Sequence, residues 1–255
     1  MSTSKKPALP KKEKIFVDSE TLELPFPQAV LTEADDIAGQ GQASIEAEIK
    51  NRRDFREVFT VTIDPVRARD FDDALSLQEL PGGKIEVGVH IADVSFYVHP
   101  GTALDAEAQK RATSIYLIDR VIPMLPHALS DDLCSLKQGV DRLAFSAVFT
   151  MDNEANILSQ WFGRTVINSN RRFTYEEVEA LIANKSEDPE LVEWIEKLIK
   201  LKHLAQKLDK KKIRAGALAF EEDEYHYEVD ADGKPISIIK AERLESHKLV
   251  EDFML

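Results

Sequence analysis

One acidic stretch constrains this sequence more than any other feature. Four carboxylates, Asp64, Asp70, Asp72 and Asp73, fall within ten residues, and apolar, strand-like sequence flanks them on both sides. Like charges held this close repel one another and raise some of their pKa values, so a folded chain keeps them together mainly where a cation offsets the repulsion. The stretch therefore predicts a divalent-cation site on a rigid scaffold, with a solvated acidic turn as the simpler alternative.

The chemistry of oxygen ligands favours magnesium as that cation. Mg²⁺ takes six oxygen ligands and keeps several of them as water, so four carboxylates can serve one ion or a pair of ions. A strand end followed by a tight loop is expected to aim all four acids toward one point. Two such ions can activate a water molecule and stabilise the leaving oxygen of a phosphoryl displacement. An EF-hand calcium loop fits less well. Counting from Asp70, the sixth position is Leu75 instead of glycine, and the twelfth is Pro81 instead of glutamate.

Composition narrows the class of protein. The chain has 255 residues, 43% of them apolar, and no apolar run approaches the roughly 20 residues that span a bilayer. Residues 1–14 lack the apolar centre of a signal peptide, and Cys134 is the only cysteine, so we expect a soluble, cytoplasmic protein with no membrane association. The net charge of −13 argues against general coating of nucleic acid, although basic residues cluster at 52–53, 171–172 and 207–214.

Local patterns predict both helices and strands. Residues 25–55 carry helical spacing, with Thr32 and Asp35 as a start signal and Gly39 and Gly41 dividing the segment into two helices. Capping residues predict further helices at 102–113, at 174–183 and from 188 onwards, and a last helix begins at 242. Alternating apolar residues predict a half-buried strand at 59–63, further strands at 74–77, 85–91, 143–151 and 157–166, and short strands near 218, 225–229 and 236–239. A turn at 81–83 makes residues 74–91 a predicted hairpin. The fold class predicted is α+β, with a mixed, largely antiparallel sheet and surrounding helices.

Six sequence blocks occur in an order that resembles a known family. They are TIDP with ARDFDDA at 62–74, HIADVS at 90–95, IPMLP at 122–126, LS with LCSL at 129–136, DR at 141–142 and HKLVE at 247–251. Together they closely resemble the catalytic RNB domain of the ribonuclease II and ribonuclease R family. The resemblance covers roughly residues 52–255 and implies a partial copy of the RNB-type fold.

The resemblance implies an activity for the acidic stretch. It indicates a magnesium-dependent exoribonuclease that removes nucleoside 5′-monophosphates from the 3′ end of single-stranded RNA. By position, Asp64, Asp70, Asp72 and Asp73 correspond to the metal-binding and catalytic carboxylates. Asp72 and Asp73 correspond to the pair nearest the scissile phosphate.

The resemblance also implies RNA-binding residues, and each has a plainer alternative. Tyr116 corresponds to an aromatic that stacks near the terminal nucleotides, and Tyr175 and Glu251 to residues that sense the ribose 2′-hydroxyl. By residue type alone, the tyrosines fit core aromatics and Glu251 fits a solvated helix position. Arg142 suits either an RNA phosphate contact or an ion pair. His90, on a strand beside an aspartate, is expected to be hydrogen-bonded rather than to bind a metal.

The resemblance divides the chain into three parts. We expect a disordered basic tail at 1–20, a helical lead-in at 21–55 and an N-terminal portion of the RNB catalytic domain at 56–255. The sequence stops within a helical pattern, before the family's later phosphate-holding arginine, which predicts an incomplete domain. Three alternatives follow: a truncated, catalytically silent RNA-binding fragment, one half of a split ribonuclease with a second chain supplying the missing C-terminal half, or a cation-binding module without RNA.

Overall fold

The computed structural model describes residues 24–117, 120–183, 189–218, 225–230, 235–240 and 242–254, and these form an α+β fold, as predicted. The described helices are α1 (Gln28–Gly39), α2 (Gly41–Glu48), α3 (Ala103–Arg111), α4 (Tyr175–Ala183), α5 (Pro189–Arg214) and α6 (Glu245–Met254), with a short π-helix at Leu129–Leu133. The described strands are β1 (Arg53–Phe55), β2 (Thr60–Asp64), β3 (Asp73–Leu80), β4 (Lys84–Ala92), β5 (Ile115–Tyr116), β6 (Val121–Ile122), β7 (Asp141–Met151), β8 (Ile157–Asn168), β9 (Arg171–Thr174), β10 (Tyr225–Val229) and β11 (Pro235–Lys240).

A seven-stranded mixed sheet organises the fold in the order β1-β8-β7-β4-β3-β2-β9. Neighbouring strands are antiparallel except for two parallel pairs, β1 with β8 and β2 with β9. Since β9 runs with β2 and β3 runs against it, the end of β2, the start of β3 and the end of β9 meet at one edge. This edge, which we call the acidic edge, carries Asp64, Asp73 and Thr174, with Asp64 in register with Thr174.

Apolar side chains form a core on each face of the sheet. On one face, strand residues such as Val61 pack with Leu198 of α5 and Leu249 of α6. On the other face, Ala144 and its neighbours pack with Leu104 of α3 and with residues of α1 and α2. Because both faces are covered, every residue of β2 is buried, whereas its alternating sequence had predicted a half-buried strand.

Two predicted helix caps are confirmed. The Thr102 hydroxyl accepts a hydrogen bond from the Asp105 amide at 3.3 Å, and α3 begins at the next residue, Ala103. Thr174 and Glu177 form a reciprocal capping box, with the Thr174 amide 2.7 Å from Glu177 Oε2 and the Glu177 amide 3.1 Å from Thr174 Oγ1. Since Thr174 ends β9 beside Asp64, this box fixes the start of α4 at the acidic edge.

Two local predictions are wrong, and a third meets residues that the structure does not describe. Helix α1 begins at Gln28 rather than at Thr32 or Asp35, because the Pro27 carbonyl already accepts the first helical hydrogen bonds, from Val30 and Leu31. The helical lead-in does not reach residue 55, since 53–55 pair in parallel with 165–167 as strand β1. Leu218 itself is exposed and belongs to no strand, and the rest of the strand predicted near it, at 219–224, lies outside the described residues.

Two further expectations concern the N-terminal tail and the membrane. The predicted basic tail at 1–20 lies outside the described residues. Across the described part of the chain, no helix combines the length and apolar character needed to cross a membrane.

Candidate active site

The acidic edge brings the four predicted carboxylates into one neighbourhood. Asp64 is the last residue of β2 and Asp73 the first of β3, while Asp70 and Asp72 lie in the connecting segment 65–72, which we call the acidic loop. Asp64 is buried, with 7% of its surface exposed, and Asp72 is exposed. The cluster therefore runs from the protein interior to its surface.

Burial and mutual repulsion raise the pKa values of three of these acids. Burial raises the pKa of Asp64 from 3.8 to about 7, and the charges of Asp73 and Asp70 add to this effect while Arg172 opposes it. Although Asp72 is exposed, the surrounding protein partly desolvates its carboxylate, and this desolvation together with the charges of Asp70 and Asp73 raises the pKa of Asp72 to about 6. The pKa of Asp73 is also raised by burial. Acids with pKa values raised in this way are typical of functional sites.

Magnesium fits the donor chemistry of this cluster. Carboxylate oxygens are its preferred protein ligands, and Asp64 Oδ2 is buried without a hydrogen-bond partner among the described residues. The expectation that all four acids aim at one point is not met, since no three His, Cys, Asp or Glu side chains of the described chain are arranged to hold a metal ion together. Like-charge repulsion favours this spread, and Mg²⁺ needs only one or two carboxylates besides its waters.

Two residues that the sequence reasoning did not select hold the acidic loop. The Arg172 guanidinium donates to the Pro65 carbonyl at 2.6 Å and lies 5.5 Å from the centre of the Phe71 ring. The Ser135 hydroxyl accepts from the Phe71 amide at 2.9 Å and donates to the Arg69 carbonyl at 3.0 Å. Both residues stood within noted segments, the 171–172 basic cluster and the LCSL block, but their contacts depend on tertiary packing.

Tyr116 lies beside the acidic loop. Its hydroxyl donates to Asp70 Oδ2 at 2.8 Å, and its side chain remains largely exposed, at 66% for the residue. Partial burial and this hydrogen bond raise the pKa of Tyr116 to about 12, so it stays a donor at neutral pH. The structure thus joins Tyr116 to the carboxylate cluster, and the core-aromatic alternative does not apply to it.

Tyr175 and Glu251 lie on helices that pack against each other. Tyr175 directly follows Thr174 at the acidic edge, and its ring stacks on His247 of α6 with centroids 4.0 Å apart. Glu251 is exposed one helical turn beyond His247 and forms an ion pair with Arg243. The structure therefore places Tyr175 next to the strand that carries Asp64. Helix α6, which carries the exposed Glu251, packs against α4.

Arg142 and His90 are both buried polar residues. The Arg142 guanidinium donates to the Ser135 carbonyl at 3.0 Å and to the Asp141 carbonyl at 3.1 Å, which engages it inside the protein. His90 bridges Ser146 at 2.6 Å and Ser76 at 2.8 Å, and burial lowers its pKa to about 3. The prediction that His90 is hydrogen-bonded within the protein is confirmed.

The basic run at 207–214 is engaged largely with the rest of the protein. Lys207 lies 2.9 Å from a carboxylate oxygen of Glu154, and the Lys212 ammonium lies 3.5 Å from Asp252 of α6. These contacts tie α5 to the β7–β8 connection and to α6. Among the basic clusters noted from sequence, the one that touches the acidic loop is 171–172.

Both the sequence and the fold match known proteins. The RNB domain family model matches residues 52–255. Two relatives from Arabidopsis thaliana, DIS3-like exonuclease 2 and Inactive exonuclease DIS3L2, are each 42% identical over 221 residues, which cover 82% of this chain and 21% of each relative.

The fold of this chain also matches that of a solved structure. Mycoplasma genitalium RNase R, in complex with ribose methylated single-stranded RNA, matches with a TM-score of 0.76 and 29% identity, over 86% of this chain and 35% of that chain. The chain thus spans well under half the length of these relatives. The sequence match and the fold match point to the same family, and the carboxylate-bearing loop lies within the matched residues. The chain belongs to the RNB-domain ribonuclease family.

Proposed function

We propose that this chain carries the carboxylate-bearing part of a magnesium-dependent 3′→5′ exoribonuclease that releases nucleoside 5′-monophosphates from single-stranded RNA. One observation carries the proposal: in a chain of the RNB family, Asp64 and Asp73 lie at one sheet edge with Asp70 and Asp72 in the loop between them, and burial, with the charges of Asp73 and Asp70, raises the pKa of Asp64. Family membership does not by itself establish activity, because an exonuclease and an inactive relative match equally well.

The proposed reaction is the hydrolysis of the last phosphodiester bond. A water oxygen attacks the phosphorus, the bond from phosphorus to the 3′-oxygen of the preceding nucleotide breaks, and that oxygen takes up a proton. The released nucleotide keeps its 5′-phosphate. Bound Mg²⁺ would supply Lewis-acid stabilisation of the phosphate charge. Asp72 and Asp73 orient the reacting phosphate region, and the buried Asp64 anchors the cluster at the end of β2.

RNA recognition is assigned to the aromatic and polar residues around the cluster. Tyr116 is exposed beside Asp70, where its ring can stack on a terminal base. Stacking contributes about 1–3 kcal/mol per base and does not depend on base identity, which suits a degradative enzyme. Tyr175 and Glu251 are proposed to contact the ribose 2′-hydroxyl, the group that distinguishes RNA from DNA. Arg142 is assigned an indirect role, because its guanidinium binds backbone carbonyls.

The test is a degradation assay on RNA labelled at its 5′ end. With Mg²⁺, we expect a ladder of products that shortens from the 3′ end, together with nucleoside 5′-monophosphates detected by chromatography. A chelator and the Asp72→Asn variant are the matched controls, and DNA of the same sequence tests the 2′-hydroxyl contacts. Equal rates with Mg²⁺ and with the chelator, or shortening from the 5′ end, would contradict the proposal.

A second candidate function is RNA binding without cleavage by the isolated chain. It is motivated by a relative named as inactive, which has the same 42% identity to this chain as a relative named as an exonuclease. This candidate predicts RNA retention with no nucleotide release. Mixing the chain with a polypeptide that supplies the rest of an RNB domain separates the cases. Restored nucleotide release supports a split ribonuclease. Full nucleotide release by the chain alone excludes both the silent RNA-binding fragment and the split ribonuclease.

A further inference from the structure

The family-like LCSL block lies directly behind the acidic loop, and one of its residues bridges that loop. Ser135 is fully buried, and its hydroxyl accepts from the Phe71 amide at 2.9 Å while donating to the Arg69 carbonyl at 3.0 Å. These two backbone groups flank Asp70. A single hydroxyl therefore fixes the chain on both sides of one carboxylate, and Asp72 follows immediately after Phe71.

A second layer of contacts fixes this part of the protein. The Leu136 amide donates to the Phe71 carbonyl at 2.8 Å, so Phe71 is paired through both of its backbone polar groups. The Arg142 guanidinium, itself buried, donates to the Ser135 carbonyl at 3.0 Å. The Phe71 side chain packs against the core between the sheet and α1–α3. Through Arg142, Ser135 is therefore tied to β7 as well as to the acidic loop.

We propose that Ser135, held by Arg142, is a positioning residue that sets the orientation of Asp70 and Asp72 for cation binding. The inference rests on the proposed function, because it concerns the carboxylates of that same site. Without the hydroxyl, the Phe71 amide and the Arg69 carbonyl lose their partner, and the segment bearing both acids is less restrained. A cation would then have to order that segment as it binds.

The test compares Ser135→Ala with Ser130→Ala. Ser130 lies in the neighbouring π-helix, and its hydroxyl bonds only to Asp131 in the described structure, so it controls for loss of a serine hydroxyl nearby. Mn²⁺ binding, followed by electron paramagnetic resonance, should weaken by about 10- to 100-fold in Ser135→Ala, as for other residues that orient metal ligands. Ser130→Ala should keep the wild-type affinity. Excess Mg²⁺ should restore the RNA hydrolysis rate of Ser135→Ala, whereas Ser130→Ala should reach the wild-type rate without extra Mg²⁺.

A measurement on the wild-type chain covers the case in which Ser135→Ala does not fold. Hydrogen exchange followed by NMR should show the Phe71 amide strongly protected, and the exposed Val66 amide in the same loop exchanging fast. Equal, fast exchange at both positions would overturn the inference. If wild type binds Mn²⁺ and Ser135→Ala weakens that binding, but RNA is not hydrolysed, the proposed function fails and the positioning role stands. If wild type hydrolyses RNA and Ser135→Ala matches it in Mn²⁺ affinity and rate, only the positioning role fails.

Discussion

Replacing Asp64 by Asn should stabilise the metal-free protein while removing activity. The Asp64 carboxylate is 7% exposed, one of its oxygens has no hydrogen-bond partner within the described chain, and its pKa is raised from 3.8 to about 7, first of all by burial. The folded state therefore holds this carboxylate in its charged form at a cost. Asparagine has the same shape without the charge.

The size of the effect follows from the two pKa values. The folded pKa lies above the unfolded one, so the folded state binds more protons between pH 4 and 7, and stability falls as pH rises through that window. The free-energy cost of Asp64 is about 2 kcal/mol at pH 5 and about 4 kcal/mol at pH 8, at about 1.36 kcal/mol per pKa unit. The stability advantage of Asp64→Asn should thus grow by roughly 2 to 3 kcal/mol from pH 5 to pH 8.

The assay is chemical denaturation in a chelator at both pH values. Asp105→Asn is the control of opposite sign, because a hydrogen bond from the Gly101 amide lowers the pKa of Asp105, so its loss should destabilise the protein at pH 8. Added Mg²⁺ should raise the stability of wild type more than that of Asp64→Asn. An Asp64→Asn protein that is less stable than wild type at pH 8 in chelator would refute the reasoning.

Three further predictions concern other residues. Asp72→Asn should abolish nucleotide release while RNA affinity, measured by filter binding, stays within about twofold. Loss of the Asp72 charge relieves repulsion among the acids and weakens only the metal-assisted step, so release at the wild-type rate would contradict the catalytic role of Asp72. The unfolded state takes up a proton that buried His90 refuses down to about pH 3, so His90 contributes a stability loss of about 2 kcal/mol from pH 7 to pH 5, opposite in sign to the contribution of Asp64. In chemical denaturation, wild type should therefore lose about 2 kcal/mol relative to His90→Gln over this range; a constant difference between the two proteins would contradict it. Tyr116→Ala should weaken single-stranded RNA binding in fluorescence anisotropy by about 1–3 kcal/mol, while Tyr116→Phe, which keeps the ring, should bind RNA as wild type does; equal loss in both would exclude stacking.

Local signals in the sequence predicted much of the sheet. The alternating residues of β3 and β4, with the 81–83 turn, gave the hairpin that the register confirms. The capping pairs at Thr102 and Thr174 located the starts of α3 and α4. These signals succeed because each is carried by residues within a few positions of one another.

Features that depend on distant parts of the chain were not predictable in this way. Strand β1 forms because 53–55 meet 165–167, and its own helical spacing gives no sign of that partner. Ser135 contacts the acidic loop across 64 residues, and Arg172 reaches Pro65 across 107. The resemblance to the family located the blocks that carry these residues, but the hydrogen bonds that give the blocks a role appear only in the fold.

The central claim is that the four acids at the acidic edge bind divalent cations. Its most direct test is a crystal of this chain grown with Mn²⁺, with anomalous diffraction used to locate the metal. The account predicts an anomalous peak within coordination distance of carboxylate oxygens from Asp64, Asp70, Asp72 or Asp73, and loss of that peak in Asp72→Asn crystals. A well-ordered acidic loop with no anomalous peak at saturating Mn²⁺, or a peak bound only elsewhere, would contradict the account.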